Sequence, residues 1–247
     1  MLRLMTYNVH GCLGVDKKLD VGRIAAVIAQ SRPDIVALQE LDVGRARSGS
    51  EDQAHAIATR LGMSVHFNAA LSVEEEQYGD AILTALPEKL VKVGALPTLP
   101  NIPRNETRGA LWVNIEVEGR QLQVINTHLG LVPLEQQRQA RRLVGEEWLG
   151  HPACRDPVVL LGDFNATSRY ASYKILAARL NDVQHTAGGR RRGKSVRTFP
   201  SRMPMLRIDH MFISRSIFVH DVHAPSGALA RIASDHLPLV ADIGFRT

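Results

Sequence analysis

The stretch Pro157-Val158-Val159-Leu160-Leu161-Gly162-Asp163-Phe164-Asn165 decides the interpretation of the chain. Its four consecutive apolar residues predict a strand that is buried on both faces. Asp163 and Asn165 follow the glycine, and in an extended chain alternate side chains point to the same side. The alternative is a simple turn, because Gly, Asp and Asn are common turn residues. Other strands in the chain decide between these two interpretations.

Several other predicted strands also end in polar side chains. The strand Leu2 to Val9 places Asn8 and His10 on one side, and Glu40 follows the predicted strand Ile35 to Leu38. A core strand that ends in polar groups directed at one point is a common way to hold catalytic side chains. The strand-terminal polar residues are Asn8, Glu40, His128, Asp163, Asn165, Asp209, Asp235 and His236.

The order of the predicted elements suggests an internal duplication. A strand ending in Asn-X-His, a helix and a core strand ending in an acid occur from Asn8 to Glu40 and again from Asn126 to Asp163. This pattern suggests two similar sheets packed face to face, with helices outside and the strand ends at one rim. No segment resembles a linker, so we expect a single domain over residues 1–247. The polar side of the predicted helix Leu134 to Leu149 is expected to face solvent (Gln136, Gln137, Arg138, Gln139, Arg141, Arg142).

The charge balance of the 247 residues is basic, with a net charge of +5 and a pI of about 9.5. This favours a polyanionic substrate or an anionic surface, although many mildly basic proteins bind nothing acidic. Aromatic residues are only 5% of the chain, which argues against stacked aromatic platforms for single-stranded nucleic acid. The cluster Arg190 to Lys194 is either a solvated loop or a means of steering an anion towards the rim.

The sequence predicts that the protein is located in the cytoplasm. Two cysteines, Cys12 and Cys154, do not form a disulfide framework and weakly favour a reducing compartment. The first residues lead directly into a strand pattern without a secretory apolar region, and no apolar run approaches the length of a membrane span.

Oxygen donors dominate the polar strand ends. Glu40 and Asp235, with Asn8 and water, suit a hard cation such as Mg²⁺. Asp209 and His236 are candidates for a carboxylate–imidazole pair in which the acid fixes the tautomer. The sequence lacks H-x-x-x-H and G-x-S-x-G, which argues against a structural zinc site and a serine hydrolase.

Seven short motifs occur in order across nearly the whole chain: Thr6-Tyr7-Asn8-Val9-His10-Gly11, Ala37-Leu38-Gln39-Glu40, Tyr78-Gly79-Asp80-Ala81-Ile82-Leu83, Asn126-Thr127-His128-Leu129, Leu161-Gly162-Asp163-Phe164-Asn165, Arg207-Ile208-Asp209-His210 and Ser234-Asp235-His236-Leu237-Pro238. With these motifs the chain resembles the endonuclease/exonuclease/phosphatase superfamily of metal-dependent phosphoesterases. Each motif alone is a weak signal, but their order and their positions at strand ends make the resemblance specific.

The resemblance implies an α+β fold, namely a four-layer α/β/β/α sandwich of two mainly antiparallel sheets. It also implies phosphoester hydrolysis with Mg²⁺ or Mn²⁺, in which Glu40 is the main metal ligand, assisted by Asn8 and Asp235. Asp163 would orient or deprotonate the attacking water. The remaining roles implied are phosphate binding by Asn165 and His128, and charge stabilisation or proton transfer by His236, which Asp209 holds.

Two arginines are expected to contact the substrate phosphate. Arg108 is the stronger candidate, and Arg47 is the second. Each has the alternative role of a surface arginine paired with a carboxylate.

The sequence differs from two branches of the superfamily, and these differences narrow the range of expected functions. His10 stands where the abasic-site nucleases carry an aspartate, which disfavours a repair nuclease and a second metal there. The late motif Arg207-Ile208-Asp209-His210 disfavours the inositol-phosphatase branch. We expect hydrolysis of a phosphodiester, with nucleic acid and a phospholipid-like molecule as candidate substrates. The alternatives are a small-molecule phosphomonoesterase and a catalytically silent module that binds anions or nucleic acid. The sequence does not indicate an oligomeric state.

Overall fold

The computed structural model describes residues 1–73, 76–100, 106–186 and 195–246. Within these ranges the strands are β1 (Leu2–Asn8), β2 (Ile35–Val43), β3 (Ser64–Val73), β4 (Glu76–Thr84), β5 (Glu88–Ala95), β6 (Gly109–Val117), β7 (Arg120–His128), β8 (Val158–Asp163), β9 (Asn181–Asp182), β10 (Asp209–Ile213), β11 (Ile217–His223) and β12 (Leu239–Phe245). The helices are α1 (Val21–Ser31), α2 (Gln53–Leu61), α3 (Pro133–Val144), α4 (Ala171–Ala177), α5 (Val183–Thr186) and α6 (Ala230–Ala233).

The strands form two six-stranded sheets that share one pattern of strand directions. The first has the order β11-β12-β1-β2-β4-β3 and the second β5-β6-β7-β8-β10-β9. Each has a single parallel pair near its centre, β1 with β2 and β7 with β8, and its other pairs are antiparallel. The prediction of two mainly antiparallel sheets is confirmed, and the repeated order matches the duplication suggested by the sequence.

The alternation of side chains along the strands generates four layers. Leu4 and Val159 belong to the apolar layer between the two sheets, while their neighbours Met5 and Leu160 belong to the layers under the helices. The layer around Met5 includes residues of α1 and α2, and the layer around Leu160 includes residues of α3 and α4. Helices therefore cover both outer faces, as predicted.

The strand β8 lies at the centre of the second sheet and sets the register of the functional residues. Its residues Val158–Asp163 are all buried, which confirms the predicted core strand. In the parallel pairing His128 lies opposite Asp163, and in the antiparallel pairing Asp209 lies opposite Asp163. Gly162 has a φ of +148°, and a Cβ there would lie 1.8 Å from the carbonyl oxygen of Thr127. Only glycine allows β7 and β8 to pair this closely next to Asp163.

The helix α3 departs from its prediction in two ways. It ends at Val144 and not at Leu149, because Gly145 is extended. Its side chains Gln136 and Gln139 are fully buried, so the expectation that they face solvent was wrong. They satisfy backbone groups of neighbouring loops, which explains polar residues inside the protein.

Two other expectations concern the basic cluster and a membrane-spanning segment. The basic cluster Arg190 to Lys194 lies outside the described residues. Among the residues that are described, none of the helices has the length and apolar character needed to cross a bilayer.

Candidate active site

The polar strand ends meet at one rim of the sandwich and line a cavity of about 590 Å³. Both sheets contribute to it, because β1 and β2 belong to the first sheet and β7, β8 and β10 to the second. The predicted site residues that line this cavity are Glu40, Arg108, His128, Asp163, Asn165, Asp235 and His236. Asn8 and Asp209 lie behind them, buried and in hydrogen-bond contact with lining residues.

A β-bulge aims Glu40 into the cavity. Between the pairs Leu38–Ala81 and Leu41–Gly79 of β2 and β4, two residues of β2 face the single residue Asp80. Glu40 adopts a left-handed φ of 63° at this bulge. The inserted residue changes the direction of the Glu40 side chain, as bulges beside functional sites commonly do.

The residue before Glu40 serves the core. Gln39 is fully buried, and its Nε2 donates to Asn126 Oδ1 of the opposite sheet at 2.8 Å. Asn126 Nδ2 in turn donates to the Leu38 and Ala81 carbonyls at 2.9 Å. Two neighbouring residues of one strand therefore serve different purposes: Gln39 ties the sheets together, and Glu40 faces the cavity.

Asn8 joins carboxylates from the two sheets. Its Nδ2 donates to Glu40 Oε1 at 2.9 Å and to Asp163 Oδ2 at 3.0 Å. Its Oδ1 accepts a hydrogen bond from the His10 backbone N–H at 3.1 Å. In this arrangement the amide oxygen of Asn8 is already engaged and the nitrogen faces the acids. Asn8 thus spaces Glu40 and Asp163.

A buried acid–imidazole–acid group lies on the other side of Asp163. His236 Nδ1 is 2.9 Å from Asp209 Oδ2, and His236 Nε2 is 3.6 Å from Asp163 Oδ2. Burial lowers the pKa of His236, but the charges of Asp209 and Asp163 outweigh it and the net effect raises this pKa. Burial and the neighbouring Asp209 carboxylate raise the pKa of Asp163. Asp163 is consequently a stronger base than an exposed aspartate.

Asp163, Asp209 and His236 could also hold a metal ion, because their possible ligand atoms lie within 4.8 Å of one another. Among the described residues, this is the cluster of His, Cys, Asp and Glu side chains with such a geometry. Its oxygens are largely occupied, however. Asp163 accepts from the Asn165 N–H and from Asn8, and Asp209 Oδ2 accepts from Thr198 and pairs with His236. Carboxylates that already accept these hydrogen bonds are better suited to proton transfer than to binding a cation that keeps water ligands.

His128 and Asn165 direct two donors at the same point. Arg108 Nη1 lies 2.9 Å from His128 Nδ1, and since a guanidinium can only donate, the ring proton is on Nε2. That Nε2 lies 3.0 Å from Asn165 Nδ2, which donates to the Leu129 carbonyl and not to the ring, so neither nitrogen accepts from the other. Burial and the Arg108 charge lower the pKa of His128, so the ring stays neutral. An anionic oxygen beside the pair, within hydrogen-bond reach of both nitrogens, would accept from both.

Asn165 reaches this position through a turn. The strand β8 ends at Asp163, Asn165 has a left-handed φ of 48°, and its N–H donates to Asp163 Oδ1 at 2.8 Å. The prediction that Asp163 and Asn165 lie together agrees with the geometry, but the extended backbone from which it was argued is not present. The strand and the turn were offered as alternatives, and both occur.

Glu40, His10 and Asp235 form the more open side of the cavity. Glu40 Oε2 lies 3.4 Å from His10 Nδ1, and Asp235 Oδ1 lies 3.8 Å from the same nitrogen. Burial raises the pKa of Glu40, but the hydrogen bond with His10 and nearby charges reverse this and lower it, so the group remains anionic. Two partly exposed carboxylates beside an imidazole suit a divalent cation that retains water, which is how Mg²⁺ and Mn²⁺ bind. Glu40 and Asp235 fit the predicted metal, whereas Asn8 presents its nitrogen.

The two arginines differ in position. Arg108 lines the cavity but is buried, held by His128 and by Glu106 Oε2 at 3.0 Å, so it acts on the site through the His128 ring. Arg47 lies in an adjoining pocket, where it binds both oxygens of the buried Asp42 carboxylate at 2.7 and 2.8 Å. Arg47 therefore has the carboxylate partner that its alternative role requires.

Two residues that shape the site, Asp80 and Gln136, were not among the predicted site residues. Asp80 lies buried opposite the bulge, and burial raises its pKa to about 8. Gln136 Nε2 donates to the Gly130 carbonyl at 2.8 Å and to the Asn165 carbonyl at 3.0 Å, so one buried side chain joins two loops of the rim. Asp80 stands in a quoted motif, but Gln136 carries no sequence signal beyond its helical position.

Comparisons with known proteins agree with this architecture. The model of the Endonuclease/Exonuclease/phosphatase family matches residues 5–236. The protein YbhP of Escherichia coli, described as uncharacterized, is 26% identical over 256 residues, which cover 98% of this chain and 95% of YbhP.

Solved structures show the same fold. An endonuclease/exonuclease/phosphatase from Beutenbergia cavernae superimposes with a TM-score of 0.76 at 24% identity, over 99% of this chain and 72% of that one. A mannosyl-6-phosphatase from Bacteroides thetaiotaomicron gives a TM-score of 0.78 at 20% identity, over 99% and 100% of the two chains. With the family model spanning nearly the whole sequence, the chain belongs to the Endonuclease/Exonuclease/phosphatase family, whose members are hydrolases of phosphoester bonds.

Proposed function

We propose that this protein is a Mg²⁺- or Mn²⁺-dependent hydrolase that cleaves a phosphodiester by direct attack of water. The observation that carries this proposal is the convergence of a basic carboxylate, a charged imidazole and two neutral donors on one cavity. Asp163 Oδ2 lies 3.6 Å from both His236 Nε2 and His128 Nε2, and Asn165 Nδ2 adjoins the latter.

The attacking water belongs beside Asp163. Its carboxylate has a raised pKa and is fixed by the Asn165 N–H and by Asn8, so it can take a proton from a water held at Oδ2. A mobile carboxylate would lose this alignment. The two hydrogen bonds therefore contribute orientation as well as structure.

The phosphate belongs between the histidines. The neutral His128 and Asn165 donate to non-bridging oxygens, and the positively charged His236 donates its Nε2 proton towards the charge that develops in the transition state. Asp209 holds the His236 ring through Nδ1, which leaves Nε2 for the substrate. A divalent ion held by Glu40 and Asp235 would neutralise charge on the phosphate oxygens.

The intact residue set favours an enzyme over a silent binding module. A module that had lost its activity would not require Glu40, Asp163 and His236 together in one cavity. The basic net charge supports a polyanionic or phosphate-bearing substrate. The family's neighbours include a protein named as a phosphatase, so a phosphomonoester is included in the test.

The experiment compares Asp163→Asn with His55→Ala, an exposed histidine on the surface of α2. Hydrolysis of bis(4-nitrophenyl) phosphate and of 4-nitrophenyl phosphate is followed with chelator, Mg²⁺, Mn²⁺ or Zn²⁺. We expect Asp163→Asn to reduce the diester rate by at least about 10²-fold, His55→Ala to keep it, and the wild type to need Mg²⁺ or Mn²⁺. Full activity of Asp163→Asn would refute the assignment, and a monoester rate well above the diester rate would make the protein a phosphomonoesterase.

A further inference from the structure

An exposed apolar surface lies beside the mouth of the cavity. Six of the eleven large hydrophobic side chains that are exposed among the described residues belong to three short segments at this rim. Leu131 is 72% exposed and Met203 is 65% exposed. The apolar rim comprises Leu131, Leu134, Tyr170, Met203, Met205 and Leu206. Such clustering differs from the scattered apolar residues of an ordinary surface.

The apolar rim is continuous with the candidate active site. Leu131, Tyr170 and Leu206 line the cavity together with Asp163 and His236. Met203 and Met205 occupy a tight turn whose ends, Phe199 and Leu206, are joined by backbone hydrogen bonds. Leu134 follows in the first turn of α3. Any surface that covers the apolar rim therefore lies at the entrance used by the substrate.

The charges within the same segments are positive. Arg169 and Arg202 are exposed next to Tyr170 and Met203. The segments 165–172 and 198–207 contain no acidic residue, and Glu135, which follows Leu134, is buried. Leucine and methionine flanked by arginine are typical of surfaces that enter the head-group region of anionic lipids.

We propose that the apolar rim docks this protein on an anionic phospholipid surface, with the mouth of the cavity facing the head groups. Docking in this orientation would bring phosphoesters carried by lipids to Asp163 and His236. Only this consequence rests on the proposed function, because the docking itself needs no hydrolysis.

The test is flotation of the full chain with vesicles of phosphatidylcholine alone and of phosphatidylcholine mixed with phosphatidylglycerol. The variant Leu134→Ser/Met203→Ser/Met205→Ser removes apolar rim residues that do not line the cavity. The matched control is Leu90→Ser/Val91→Ser/Val93→Ser on the edge strand β5, where exposure is 40–44%. The pair Arg169→Gln/Arg202→Gln tests the charge.

We expect the wild type to float with the mixed vesicles and less at high salt. The rim variant should bind them about tenfold more weakly, the β5 variant should bind like the wild type, and the arginine pair should lose the preference for anionic lipid. Hydrolysis of bis(4-nitrophenyl) phosphate by the rim variant should be unchanged. If the triple variant unfolds, Met203→Ser/Met205→Ser replaces it.

Three results would overturn the docking proposal: no flotation of the wild type, equal flotation of the rim and β5 variants, or equal binding to both kinds of vesicle. A dimer in sedimentation that the rim variant abolishes, without flotation, would assign the rim to a second copy of the chain and would also overturn it. Since flotation needs no turnover, these results leave the proposed hydrolysis untouched. A loss of hydrolysis in turn leaves the docking proposal standing.

Discussion

Replacing Gln136 by leucine tests whether a buried amide positions the loop that carries Asn165. Leucine fills most of the volume but cannot donate to the carbonyls of Gly130 and Asn165, which Gln136 Nε2 contacts at 2.8 and 3.0 Å. Each buried carbonyl left without its donor costs about 1–3 kcal/mol, so we expect a loss of about 3 kcal/mol. For a chain of this length that corresponds to a Tm lower by about 6–12 °C.

The same change should reduce turnover, because the Asn165 backbone loses one of its anchors while its side chain faces His128. We expect kcat/KM for the diester to fall about tenfold at a temperature where the protein is folded. Thermal unfolding and initial rates are compared with Gln137→Leu, the half-buried neighbour on α3. If the two variants unfold and turn over alike, the positioning role of Gln136 is refuted.

Three further outcomes follow from the charges in the structure. Glu40→Gln should raise the Mg²⁺ concentration needed for half-maximal rate about tenfold, measured by titration after chelation; an unchanged requirement would remove Glu40 from the metal site. Arg108→Met should raise the pKa of His128, because the Arg108 charge is second only to burial in lowering it; NMR titration of the ring proton measures this, and no shift would contradict the contact. The Arg3 hydrogen bonds lower the pKa of Asp242, so this pair stabilises the fold above the ordinary aspartate pKa of about 3.9 and ceases to do so as the pH falls through the lower folded value. Asp242→Asn should therefore cost about 1 kcal/mol at pH 7 and nothing in strong acid, and equal unfolding differences at both pH values would disprove this.

The sequence predicted the fold because its signals are local and repeated. Asp20 caps α1, Gly62 ends α2, and the apolar run before Gly162 is the core strand β8. Asn8, His128 and Asp163 end strands of the two parallel pairs and therefore reach the same rim. Asp209 begins β10 and His236 precedes β12, and both strands run antiparallel to their neighbours β8 and β1, so these residues reach that rim as well.

The details of the site depend on contacts that a sequence pattern does not encode. The bulge at Glu40 depends on one extra residue relative to β4, which appears only when the two strands are paired. Gln136 is a polar residue on a helix, so the sequence predicted that its side chain faces solvent. In the structure the side chain is buried because it donates hydrogen bonds to carbonyls of neighbouring loops. Arg47 was expected at the phosphate, and its bidentate pairing with Asp42 depends on a buried carboxylate five residues earlier.

The hydrogen bonds of Asn8 to Glu40 and Asp163 have a consequence for the core. These acids belong to different sheets, so the distance between them is set by the thickness of the apolar layer that separates the sheets. The side chains of that layer, such as Leu111 and Val159, act as spacers whose size fixes the gap between the two acids. A larger side chain at such a position would widen the cavity from inside the protein, without contact with any residue that lines it.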